Sequence, residues 1–255
     1  MQLWTVDHAR TLLPALVVMA IITVVLRRLL MNRERKVRMI PIQIIACFLL
    51  LIEVGKQAVS FTNGYDLYHL PFHFCSIFLF ILPVMAFYRG KYQQAVARVA
   101  SAVCMSLFLL MLIYPSLIYG DWNIQNFFTE YLSFHTVAFH NVCMLAYLLI
   151  PALKLWEPEE EPGPKGTFWF TVGFCVVAGS MAQILKTNYA NFYSCNIPVF
   201  EEIRVSLQGT LGYGLTQVIY VLLVAVATIG FVMMAFYADR LVHRLVNGKR
   251  TKQIV

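Results

Sequence analysis

The stretch IPIQIIACFLLLIEVGKQAVSF, Ile40 to Phe61, decides the fold. Its length suits one helix across a hydrocarbon core, which takes about 20 residues. It also carries Glu53 and Lys56, and charges inside a bilayer are costly. Such groups face a protein interior or a wet cavity, so this run belongs to a bundle and is no lone anchor. Further apolar runs lie at 11–31, 70–88, 95–118, 132–153, 167–186 and 212–237. The pattern predicts an all-α polytopic membrane protein. It reads as a single transmembrane helical domain over residues 1–255, a bundle of about seven transmembrane helices. Pro83, Pro115 and Pro151 are the expected helix breaks.

Composition agrees. Sixty per cent hydrophobic and 13% charged residues, with a mean hydropathy of +0.69, exclude an ordinary soluble domain. A length of 255 residues holds these spans and leaves no room for a separate soluble domain. The first run ends at Arg27 and Arg28 with no small-residue cleavage site, so it reads as a retained span.

The net charge of +7 is no sign of nucleic-acid binding, because the basic residues sit between spans. Arg33, Arg35, Lys36 and Arg38 follow the first run, and Arg89 and Lys91 follow the third. Lys154 and Lys165 flank the acidic run Glu157–Glu161, and the tail holds Arg240, Arg244, Lys249, Arg250 and Lys252. All fall on one side if the chain alternates, which leaves Arg10 and Arg204 on the other. The positive-inside rule then places the N-terminus outside and the C-terminus in the cytoplasm. The expected location is the cell membrane, multi-pass, in a bacterial plasma membrane.

With that orientation, the costly residues share one depth. Glu53 and Lys56 are three apart on one helix face, which suits either a structural ion pair or a pair that orients a ligand. His69 and His73 are four apart at the outer start of the third span, where Pro71 fits a first helical turn. His73, the deeper of the two, is a candidate functional imidazole. Cys75 lies about 200° around a helix from His73, a poor geometry for a dyad, so its base would come from His135 or His140 on the fifth span. A core cysteine is the alternative reading of Cys75. Gln183, Lys186 and Asn188 end the sixth span, and Thr216, Gln217 and Tyr220 begin the seventh. One polar pocket in the outer half accounts for this grouping. The connector 187–211, aromatic and polar, reads as a lid over it or as an interfacial loop.

No cofactor is called for and no metal is expected. No H-x-x-x-H spacing joins His135 to His140, and the six cysteines, at 47, 75, 104, 143, 175 and 195, lack finger spacing. Five cysteines fall inside spans, and only Cys195 lies in a loop.

The segment HLPFHFCSIFLFILP, His69 to Pro83, resembles the L-P-L-H-x-C signature of the YwaF-like bacterial integral membrane proteins. Asn188-Tyr189 followed by Pro198, and the histidines at 135 and 140, are similar to that family's later spans. The architecture is in turn similar to that of the transmembrane protein 164 group. That group is described as moving acyl chains onto ether lysophospholipids through a cysteine. A more distant likeness is to the androgen-induced membrane hydrolases, which act on lipid esters. The resemblance implies a motif cysteine at Cys75, with His73 before it where the eukaryotic order is Cys then His.

Two functions are expected from these residues. One is a membrane-embedded lipid-modifying enzyme, a candidate phospholipid acyltransferase or hydrolase. Cys75, His73 and His140 would be catalytic, and Glu53, Lys56, His135, Gln183, Lys186 and Asn188 would hold a phospholipid. The other is a carrier or receptor for a small polar ligand in the same pocket. A lipid enzyme confines its polar groups to one leaflet, and a carrier spreads them through the full depth. The outer-half bias favours the enzyme.

Overall fold

The computed structural model describes residues 3–156 and 164–247. The acidic run Glu157–Glu161 and the basic residues Lys249, Arg250 and Lys252 lie outside the described residues. Every regular element among the described residues is helical. α1 (Val6–Leu30), α2 (Arg35–Arg38), α3 (Ile40–Thr62), α4 (Phe78–Phe87) and α5 (Gln93–Ile113) form the first half. α6 (Gly120–Gln125), α7 (Tyr131–Ala152), α8 (Lys165–Leu185), α9 (Pro198–Leu211) and α10 (Tyr213–Asn247) complete the chain.

Among the described residues, six helices are long and apolar enough to cross a membrane, and a shorter apolar helical segment, Phe74–Phe87, stands where the third span was expected. The bundle centres on α5 and α7. Of their apolar windows 67% and 61% is buried, against 11% for those of α1 and α10. α5 packs on α10, α7 and α4, while α3 packs on α7 and α4, α1 on α7, and α8 on α10. This order brings the end of α3 and the start of α7 together beside the segment that precedes α4.

That segment departs most from expectation. Residues 70–88 do not start as a helix. Leu67–His69 and Phe74–Ile77 are 3-10 turns, joined by extended backbone at Leu70 (φ −63°, ψ 146°) and His73 (φ −70°, ψ 156°). Pro71 explains the break. Its ring disfavours the helical region for the residue before it, and it has no N–H to donate. His69 and His73 therefore do not share a helix face, and the 200° argument against pairing His73 with Cys75 lapses, because no helix joins them.

The prolines divide. Pro115 does end α5, since Tyr114 leaves the helical region and a 3-10 turn starts at Pro115. Pro151 is the penultimate residue of α7. Pro83 lies inside α4 without ending it, as neighbouring helices allow in a membrane bundle.

The connector 187–211 is half helix. α8 stops at Lys186, which takes the left-handed conformation (φ 51°), and an irregular loop runs to Ile197. Pro198 then opens α9, a site where its missing N–H costs nothing. Gly212 (φ 76°) separates α9 from α10, in a conformation that glycine adopts without strain.

Candidate functional site

Where α3, α7 and the two irregular segments meet, a cavity of about 490 Å³ opens. Of the residues singled out in the sequence, Glu53, Lys56, His69, His73, Cys75, His135, His140 and Asn188 all line it. Gln183 and Lys186 do not. Gln183 donates from Nε2 to the Phe192 carbonyl at 2.7 Å, and Lys186 is the exposed cap of α8.

The polar wall is a network centred on Glu53. Its carboxylate accepts from Lys56 Nζ at 2.7 Å, Gln57 Nε2 at 2.7 Å and His135 Nε2 at 3.0 Å. The side chains of Glu53 and Lys56 are only 12% and 13% exposed, so each needs the other. Gln57 also donates to the His69 carbonyl at 2.9 Å and accepts from the Tyr65 hydroxyl at 2.7 Å. Ser60 Oγ lies 2.6 Å from His69 Nδ1. The side-chain network on α3 thereby ties down the irregular segment before α4. Tyr131 on α7 clamps the same helix, its hydroxyl donating to the Ile52 carbonyl at 2.9 Å across the close approach at Gly55.

Two other imidazoles present a free nitrogen. His73 Nε2 lies 2.9 Å from the Tyr68 carbonyl, and a carbonyl accepts only, so Nε2 carries the proton and neutral His73 keeps its Nδ1 lone pair. His140 is the mirror case, with Nδ1 donating to the Thr136 carbonyl at 2.6 Å and Nε2 left as the acceptor. Tyr68 and Tyr189 hold the His73 ring edge-on, at centroid distances of 4.4 and 5.3 Å. Cys75 is a free, half-buried thiol at the same wall. The hydrogen bonds of the three histidines go to Tyr68, Thr136 and Glu53, and leave Cys75 beside them.

Connectors supply further lining residues. Glu130 accepts from Trp122 Nε1 at 3.0 Å and Ser133 Oγ at 3.1 Å. Ala190 and Asn191 are consecutive left-handed residues (φ 49° and 64°), and both line the cavity. Asparagine tolerates that conformation, while alanine there is strained and must be held. The hold is visible. Tyr220 donates to the Asn191 carbonyl at 2.5 Å, Gln217 Nε2 to the Tyr193 carbonyl at 2.9 Å, and Asn188 Oδ1 accepts from the Tyr193 and Ser194 N–H groups. Tyr189 donates to the Leu67 carbonyl, which locks the two irregular segments together. The one available signal was the run Asn188-Tyr189-Ala190-Asn191, rich in residues that favour turns.

Beside the polar cavity runs a second one of about 760 Å³, an apolar groove between α9 and α10. Phe74, Leu110, Leu117, Ala190 and Asn191 line both. The groove's cation, Arg204, is paired through Nε and Nη2 with Glu201 and donates to Gln217 Oε1 at 3.1 Å. This bidentate contact holds the Glu201 carboxyl below its usual range.

A different polar cluster joins the start of α5 to the end of α10. Ser101 Oγ donates to Asp239 Oδ1 at 2.9 Å and lies 3.3 Å from His243 Nε2. Trp156 covers the His243 ring at 4.4 Å. Asp239 and His243 are fully buried, and neither lines the cavity or the groove. Among the described residues, no group of three or more His, Cys, Asp or Glu side chains is arranged to hold a metal ion.

A model of the TMEM164 family matches residues 3–235, nearly the whole chain. No curated protein and no solved structure matches it.

Proposed function

The chain belongs to the TMEM164 family, and we propose that it is a phospholipid acyltransferase or hydrolase acting through Cys75. One observation carries this reading: a polar chamber and an apolar groove share a wall. A phospholipid has the same two parts, a polar head and an apolar chain. Its ester lies between them; Phe74 lines both cavities, and Cys75, its neighbour in the chain, lines the chamber. The acyl transfer described for the transmembrane protein 164 group points the same way.

In this reading, Cys75 Sγ attacks the ester carbonyl while an imidazole, His73 at Nδ1 or His140 at Nε2, takes the thiol proton. Lys56 is the chamber's ammonium group for the phosphate or the developing oxyanion. Glu53 and His135 hold Lys56 and the chamber wall in register. The C–O bond breaks, the imidazolium returns its proton to the departing lysolipid hydroxyl, and an acyl thioester remains on Cys75. A second lysolipid hydroxyl, or water, attacks the thioester after giving its proton to the imidazole. The thiolate leaves and is reprotonated.

A carrier for a small polar molecule needs a polar route through the bundle. The chamber instead shares a wall with an apolar groove, and the polar cluster around Asp239 lines neither cavity.

The test is purified protein in liposomes with a diacyl donor and a lysophospholipid acceptor, read by mass spectrometry of the lipids. New acylated product or released fatty acid is expected from the wild type and is lost in Cys75→Ala. Full turnover by Cys75→Ala defeats the reading. Uptake of a labelled polar solute without lipid conversion would establish the carrier instead.

A further inference from the structure

We infer that the groove measures acyl chains, with Phe231 as its stop and Ala227 and Thr228 as its last open stretch. This rests on the phospholipid reading above and adds a selectivity for chain length.

The groove's floor is one face of α10, running from Thr216 to Phe231 at spacings of three and four residues. On this floor Tyr220 donates to the carbonyl of Asn191, which lines both the groove and the chamber. From Tyr220 to Phe231 is eleven helical steps, or about 16 Å. One leaflet of a bilayer's hydrocarbon is about 15 Å deep, half of a core of about 30 Å. A chain that starts at the chamber thus reaches Phe231 near full extension.

Side-chain size changes along this path. Leu223 and Val224 carry the larger side chains of the middle, Ala227 and Thr228 the smaller ones beyond, and Phe231 is the last lining residue in chain order. The groove's charge is internally paired, Arg204 with Glu201, so nothing in it asks for a charged occupant. The wall shared with the polar chamber selects the occupant: the acyl chain of a glycerolipid whose head sits in the chamber. Filling position 227 moves the stop back by four residues, about 6 Å.

The experiment uses the full chain in lipid nanodiscs, offered an equimolar set of lysophospholipids that share one head group and differ only in saturated chain length. Native mass spectrometry reads which lengths stay bound, and the lipid assay reads which lengths are converted. Ala227→Phe is expected to shift the bound set to shorter chains, and Phe231→Ala to longer ones. Ala227→Leu should give a smaller shift in the same sense as Ala227→Phe, and it serves if the larger residue disturbs folding, as judged by thermal unfolding. If the folded variants retain the wild-type distribution, or the wild type shows no length preference, the ruler is overturned and the groove is ordinary lipid-facing surface. Turnover with unshifted lengths would overturn the ruler alone. Shifted binding without any turnover would overturn the acyl-transfer chemistry and leave the ruler standing.

Discussion

The two ends of this bundle bury the same kinds of side chain and treat them differently. At one end Glu53, Lys56, His73, Cys75 and His140 surround an open cavity. At the other, Ser101 and Asp239 meet His243, which lies under Trp156, and none of the three lines the chamber or the groove. In both places a carboxylate, an imidazole and a small nucleophile-type side chain lie within a few ångströms or along one wall. Ser101 beside His243 even has the outline of a nucleophile with its base. The difference is access. A reacting group needs room for the substrate's carbonyl, and the chamber provides it where the contacts around Asp239 do not. Buried ionisable groups in a membrane protein mark a site when they share a space, and otherwise mark a helix contact.

The largest effect expected from this contrast is on turnover. Cys75→Ala should reduce lipid conversion by about 10³-fold or more, because no other thiol lines the chamber. Ser101→Ala should leave it within about twofold. Equal losses in the two variants, measured on folded protein, would erase the distinction between the ends.

Stability should sort the two carboxylates. Glu53→Gln leaves Lys56 with only a neutral partner at 13% exposure and should cost about 3 kcal/mol in thermal or denaturant unfolding. Asp239→Asn keeps the contact with Ser101 and orphans no cation, so about 1 kcal/mol or less is expected. The reverse order would mean that the sealed cluster carries the fold. Gly55→Ala is the next probe. An added methyl meets the Tyr131 hydroxyl and ring, so the clamp between α3 and α7 must shift, at about 1–3 kcal/mol. An unchanged melting temperature would show that the clamp is slack.

The open end and the sealed end were not equally legible in the sequence. Glu53, Lys56, His135 and His140 stand out because each interrupts an apolar run at a common depth, and the structure does bring them to one cavity. Asp239 and His243 escaped notice for a simple reason. They follow the apolar run ending at 237 and look like part of a basic tail, whereas α10 continues to Asn247. The third span misled through hydrophobicity. Residues 70–88 are apolar enough for a full helix, but Pro71 acts on backbone geometry, which hydropathy does not register. The groove was invisible for another reason. α9 is short and carries Glu201, Glu202 and Arg204, so no hydropathy window reveals it. Its partner face on α10 is apolar like the rest of that helix. Glu130, Ala190 and Asn191 come from connectors, and their place depends on tertiary contacts alone.

The smallest expected effect concerns α9. The Glu201 carboxyl is held low by Arg204, so its contribution is fully present above the unfolded value of about 4.3. It is lost as pH falls through the lower folded value. The partly exposed pair should contribute no more than about 1 kcal/mol. The wild type should lose that increment between about pH 5 and pH 3, and Glu201→Gln should show no such step. A step of the same size in both would assign it to another carboxyl.

The most direct test of the central claim is to trap the intermediate. Purified protein, incubated with an acyl-labelled diacyl phospholipid and no acceptor, is quenched in acid and mapped by peptide mass spectrometry. The account predicts the acyl group on the peptide containing Cys75, released by neutral hydroxylamine as a thioester is, and absent from Cys75→Ala. Labelled lipid product formed at the wild-type rate by Cys75→Ala, with no acyl group on any cysteine of the wild type, would contradict it.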